Sequence, residues 1–209
     1  MNAKYVKSIV TSAVALIFLW QSGMAQIKVK PLAIKERTLA NGLKVVSVRD
    51  NSSPTVAIHV WYNVGGKNDP QGKSGFAHMF EHMMFKSTKN MANEQMDRLT
   101  EDVGGYNNAS TWDDFTNYYE VVPSNYLKTL LWAEAERMAN LNVDDTNFAS
   151  ERDVVKEEFR QSVLAQPYGR LFEYLGSLSY TTHPYKRGVI GDLDQLNAAT
   201  SAAARAFHS

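Results

Sequence analysis

Between Ser74 and Phe85 the chain reads SGFAHMFEHMMF, and this stretch constrains the fold more than any other. Turned at about 100° per residue, a helix here gathers His78, Glu81 and His82 on one arc with Ser74, Gly75 and Phe85. The rest of its circumference is Phe76, Ala77, Met79, Phe80, Met83 and Met84. A helix apolar almost all round belongs in a protein interior. The ionisable groups on the remaining arc must then be paired, because burying them alone costs several kcal/mol. Two histidines one turn apart can each bring a ring nitrogen to about 2.0–2.1 Å from a single zinc ion. A glutamate beside them can take a proton from water at such a metal. The bland alternative is two core histidines hydrogen-bonded to a buried glutamate. The full H-x-x-E-H pattern is more specific than a lone pair of histidines at this spacing.

Two histidines leave a catalytic zinc short of the three protein ligands such sites usually have. Residues 146–164 form a second helical stretch, TNFASERDVVKEEFRQSVL. Its period sets Arg152, Asp153, Lys156, Glu157 and Arg160 on a solvent face, and Glu151 and Glu158 on the other with Phe148, Val154 and Val155. Two carboxylates on an apolar side need a cation, which a metal or a core arginine can supply. Helical geometry alone leaves Glu151 and Glu158 open as the third ligand, with the other in support. Glu157, on the charged side, is the poorer candidate.

The remaining elements alternate. Asn41-Gly42 between Thr38–Ala40 and Leu43–Val48 predicts a hairpin with a tight two-residue turn. Thr55–Val64 alternates Val56, Ile58, Val60, Tyr62 and Val64 onto one face, as a half-buried strand does. After a Gly- and Pro-bearing loop at 65–73 come helices at 74–85 and 93–103. A second hairpin pairs Tyr106–Thr111 with Phe115–Val122, and helices follow from Pro123-Ser124 to Leu141, over 146–164 and over Arg170–Leu178. The fold class is α+β, a mainly antiparallel sheet flanked by helices. A helix opens at Ala198 and no strand follows before Ser209, so the domain is expected to be incomplete at its C-terminus. Trp61, Trp112 and Trp132 are expected as core or interface aromatics, and His59 as a surface or packing residue.

The N-terminus has the features of a secretory signal: Lys4 and Lys7, an apolar run from Ser8 to Trp20, then small residues at Gly23-Met24-Ala25. The expected organisation is a signal peptide over 1–25, a linker over 26–35 and a catalytic domain over 36–209. Export, to a bacterial periplasm, follows, with no stable membrane anchor after cleavage. There is no cysteine, which excludes disulfides, thiolate metal sites and lipidation through Cys. The 22 basic and 22 acidic residues become 20 against 22 once Lys4 and Lys7 are removed. That balance offers no electrostatic reason to bind nucleic acid or an anionic membrane.

The stretch SGFAHMFEHMMFKST resembles the inverted zinc motif of the pitrilysin/insulinase family of metallopeptidases. ERDVVKEE, from Glu151 to Glu158, resembles the family's downstream acidic motif, and Gly104 to Thr111 resembles its G-G-x-x-N-A-x-T strand. The resemblance spans about Glu36 to Phe207 and implies a pitrilysin-like α/β roll. It implies Zn2+ held by His78, His82 and Glu158, with Glu151 in support and Glu81 activating zinc-bound water. It further implies that Asn108, Ala109, Ser110 and Thr111 bind peptide along a sheet edge, by β-augmentation. A zinc endopeptidase acting on peptides or small unfolded proteins is the expected function. The alternative is a non-catalytic peptide-binding subunit of a heteromeric peptidase. Family members pair two such domains, so a second domain or partner subunit is expected, and the 209-residue chain alone is expected to bind zinc yet cleave poorly.

Overall fold

The computed structural model describes residues 31–208. The expected signal peptide and the first part of the expected linker lie outside the described residues. Among the described residues no helix is long and apolar enough to cross a membrane.

The chain divides into two compact units at Ser52 and Ser53. The described part of the first is an antiparallel hairpin of β1 (Ile34–Thr38) and β2 (Lys44–Val48), in register from Ile34 opposite Val48 to Thr38 opposite Lys44. Its turn differs from the expected two-residue loop. Gly42 donates to the Leu39 carbonyl at 2.9 Å, while Leu39 pairs with Leu43. The loop is therefore Ala40-Asn41-Gly42, with Gly42 alone in the left-handed region at φ 88° and the Leu43 amide on Asn41 Oδ1 at 3.1 Å. This is the three-residue hairpin, a turn closed by a glycine bulge. Because β1 begins at Ile34, the last two residues of the expected linker belong to it.

The second unit carries a three-stranded antiparallel sheet in the order β3-β5-β4. β3 (Thr55–Tyr62) pairs with β5 (Thr116–Pro123), from Thr55 opposite Pro123 to Tyr62 opposite Thr116. β4 (Tyr106–Thr111) pairs along the other side of β5, from Tyr106 opposite Val121 to Thr111 opposite Thr116. β5, the central strand, buries Thr116, Asn117, Tyr118, Glu120 and Val122. Among the described residues no strand pairs with the outer edge of β4. Alternation on β3 is as expected: Ile58 is buried, whereas His59 is exposed and stacks on Tyr119, ring centroids 5.6 Å apart.

Helices cover the inner face of this sheet. α1 (Phe76–Met83), α2 (Gln95–Glu101), α3 (Leu127–Asn140) and α4 (Asp145–Phe159) come first. α5 (Arg170–Ser179), α6 (Leu193–Ala198) and α7 (Ser201–His208) follow. α1 is buried as its composition demands, with Phe76, Met79, Phe80 and Met83 in one cluster with Phe148, Val155, Leu196 and Ala204. The resulting α+β architecture matches the expected class.

Three local expectations are corrected. The helix expected over 146–164 is α only to Phe159 and then winds as a π turn over Arg160–Leu164. There the Ser162 hydroxyl donates to the Glu158 carbonyl at 2.8 Å, and the Ala165 amide reaches back to Arg160. Val154, assigned to the apolar arc, is 46% exposed. Trp61, Trp112 and Trp132 all lie on the surface, Trp61 at 60% exposure with its ring against Phe115, so of their two expected roles it is the core one that is corrected. Hydrophobic type places a residue inside only when its own face has a neighbour to meet.

Candidate active site

α1 is anchored at its start. Gly75 adopts φ 93° and comes so close to the Ile190 carbonyl that a Cβ would sit 2.8 Å from it. The buried Asp69 carboxylate accepts the Gly75 amide at 2.6 Å and the Ala77 amide at 2.8 Å, taking up two donors a helix N-terminus leaves unpaired. Burial pushes the Asp69 carboxyl up to about 6, against the pull of these amides and of Arg187.

One turn further on, His78 is buried and His82 partly so, their rings 4.8 Å apart and nearly perpendicular. α4 brings Glu158 to both. His82 Nε2 is 3.3 Å from Glu158 Oε2, and His78 Nε2 is 3.6 Å from the same oxygen. One ligand atom from each of the three residues lies within 4.8 Å of the others. Donors about 2.0–2.1 Å from a tetrahedral zinc lie about 3.3 Å apart, which the two distances to Glu158 Oε2, 3.3 and 3.6 Å, approach.

Glu151, one of the two residues that helical geometry left open, lies behind His82. Its Oε2 is 3.5 Å from His82 Nδ1, and its Oε1 is 2.9 Å from Lys86 Nζ. A carboxylate on the far nitrogen of an imidazole fixes which nitrogen is left to bind a metal. His78 Nδ1, by contrast, is buried with no hydrogen-bond partner. Glu157 points away and bonds Arg160 and Gln161 at the surface.

The charges differ sharply between the two rings. Burial, reinforced by His82, lowers His78 to about 4, so its approach to Glu158 is a contact of a neutral ring. His82 is also penalised by burial, yet Glu151 and Glu158 together raise it to about 9. Glu158 is held below its ordinary value, mainly by the bond with His82. Glu81 is raised, mainly by burial, and drawn back by Thr111, whose hydroxyl donates to Glu81 Oε2 at 2.5 Å.

Thr111 ends β4, so the candidate peptide-binding strand touches the candidate site through this bond. Ser110 turns its hydroxyl to Asn117 Oδ1 at 2.6 Å, and Asn108 Oδ1 accepts the amide of Ala109 at 2.8 Å. Of the four β4 residues, only Thr111 makes a hydrogen bond to a candidate site residue. Sequence reasoning missed Asp69, which lies inside the loop at 65–73, and Lys86, quoted in the motif without a role. The position of Lys86, one helical turn after His82, was the available signal for the second.

A helix-borne pair of histidines and a glutamate from a neighbouring helix, with the Glu81 carboxylate beside them on an α+β scaffold, is a set of donors that could hold a metal ion, as the sites of metallohydrolases do. The chain matches the insulinase family, peptidase family M16, over residues 44–193. It is 40% identical over 173 residues to the zinc protease PqqE of Helicobacter pylori, covering 82% of this chain and 39% of that protein. It is 29% identical over 163 residues to a probable mitochondrial-processing peptidase subunit beta of Arabidopsis thaliana, 78% of this chain and 30% of the relative. A crystal structure of a protease from Helicobacter pylori superposes with a TM-score of 0.82 at 38% identity, covering 86% of this chain and 43% of that one. The chain belongs to the M16 peptidase family. It spans about two fifths or less of the length of these relatives.

Proposed function

We propose that the chain carries the metal-binding half of a zinc-dependent endopeptidase, with His78, His82 and Glu158 as ligands. The observation that carries this reading is the donor spacing, 3.3 and 3.6 Å from the two histidines to one oxygen of Glu158. When bound, a zinc ion supplies positive charge that polarises the scissile carbonyl and acidifies water.

Glu81 takes the proton from the attacking water and delivers it to the departing amine. Thr111 occupies one of its oxygens, which fixes the carboxylate and leaves the other free for that transfer. Glu151 orients His82 from behind. The outer edge of β4, at Asn108, Ala109, Ser110 and Thr111, receives an extended peptide through main-chain hydrogen bonds, which makes little demand on side-chain sequence. Peptides or small unfolded proteins are the substrate class this implies.

A second family-type domain or partner subunit completes the enclosure around the substrate; a relative named as a subunit supports this part of the reading. Export to a bacterial periplasm is supported by Lys4, Lys7 and the apolar run that follows. The test is Glu81→Gln, which should keep zinc and lose peptide hydrolysis; normal hydrolysis by that variant would remove Glu81 from the reaction.

A further inference from the structure

Lys86 lies just past the end of α1, where the Lys86 amide bonds the Met83 carbonyl at 2.9 Å and the chain stays wound. That places its side chain on the His82 side, one turn on. Its Nζ meets Glu151 Oε1 at 2.9 Å, and the lysine side chain is 17% exposed against 6% for the glutamate. The other Glu151 oxygen is the one at 3.5 Å from His82 Nδ1. The row therefore runs Lys86, Glu151, His82, with one carboxylate bridging an ammonium and an imidazole. Glu94 reaches Lys86 only at 3.8 Å and from a side chain 69% exposed, a contact of little energetic weight.

We propose that Lys86 is a positioning residue of the metal site, holding Glu151 in the one orientation that presents His82 Nε2 to the ion. This rests on the metal-site reading above and extends it one residue outward. A carboxylate has two oxygens and rotates readily unless both are engaged. Glu151 sits in a buried place where losing a charged partner is expensive, so without Lys86 its freed oxygen must turn toward other donors. That change releases His82 from the geometry that a metal requires, because groups behind a ligand set its orientation and basicity. Lys86 touches neither metal nor substrate in this arrangement. Its effect passes through Glu151 alone.

That dependence gives the test. Zinc dissociation constants are measured on the full chain by chelator competition for wild type, Lys86→Met, Lys86→Arg, Glu151→Gln and the Lys86→Met/Glu151→Gln double variant. Lys86→Gln stands in should Lys86→Met not fold. The expected result is about tenfold weaker zinc binding in Lys86→Met, within the range seen when a group behind a ligand is removed. Lys86→Arg should restore it, and the lysine substitution should have little further effect once Glu151 is already Gln. Unchanged zinc affinity in Lys86→Met, or an equal loss in both backgrounds, overturns the role of Lys86 while leaving the metal site intact. A folded wild-type chain with no zinc affinity overturns the metal reading itself and this inference with it.

Discussion

Thr111 and Glu81, thirty residues apart in sequence, are joined by a 2.5 Å hydrogen bond from the threonine hydroxyl to the glutamate carboxylate. The bond ties the last residue of the exposed edge strand to the helix that carries both histidines. Glu81 is held above the ordinary carboxylate range mainly by burial, and Thr111 opposes that shift by favouring the charged form. In Thr111→Val the opposing bond is gone, so the Glu81 carboxyl titrates higher still. The acid limb of the pH–rate profile for peptide hydrolysis should move to higher pH. Turnover should fall about tenfold or more, as expected for a bond to a charged group worth about 1.5–3 kcal/mol. An unmoved acid limb would mean that Glu81 does not depend on this bond.

His82 makes the metal-free chain sensitive to pH. Its folded value of about 9 lies above the ordinary 6.5 because Glu151 and Glu158 outweigh its burial. Between those values the folded chain binds more protons than the unfolded one, so stability falls as pH rises through the window. The contribution is fully present below pH 6.5 and lost as pH passes about 9. Urea midpoints measured in chelator across this range should decline, and His82→Ala should flatten the decline. A ligand imidazole must be neutral, so zinc binding near pH 7 should also release about one proton, read by calorimetry in buffers of different ionisation enthalpy.

Asp69 supports the site from outside it. Asp69→Ala removes the acceptor for the Gly75 and Ala77 amides and leaves two buried donors unpaired. A loss of about 2–6 kcal/mol is expected, at about 1–3 kcal/mol for each unsatisfied group. Thermal and denaturant unfolding of the variant would show it, and zinc affinity should fall in parallel as α1 frays.

How much of this was legible depended on whether a partner was local. His78, Glu81 and His82 share a helical turn, so the period alone brought them together. Glu151 and Glu158 lie two turns apart on one helix face, and no helical plot distinguishes them. Their roles separate only in three dimensions, where Glu158 reaches both rings and Glu151 reaches the back of one. The Asn41-Gly42 hairpin was visible, but which residues formed its loop depended on the register of two strands. Least legible was the fully buried Arg137, bonded to Glu120 on β5 and Glu134 on its own helix. Its guanidinium lies 4.4 Å from the Tyr118 ring. Nothing periodic announces a charged side chain whose partner lies on a distant strand.

That buried triad makes two opposite forecasts. Burial, with Glu134 adding to it, raises Glu120 well above the ordinary carboxylate range against the pull of Arg137, which favours its neutral form in the folded chain. Glu120→Gln replaces one neutral group by another and should cost less than about 1.5 kcal/mol, the ordinary net worth of one hydrogen bond. Arg137→Met strands the Glu134 charge and should cost about 3–5 kcal/mol. Denaturant titration of the two variants reads the difference directly; equal losses would mean that Glu120 is charged.

On the reading proposed above, His78, His82 and Glu158 hold one zinc ion. That reading is tested most directly by the metal content of the purified full chain after dialysis against metal-free buffer, with His82→Ala beside it and circular dichroism to establish folding. About one zinc per folded chain, lost in the variant, is the expected result. A folded wild-type chain that retains no zinc, or a His82→Ala chain that retains as much as wild type, would contradict it.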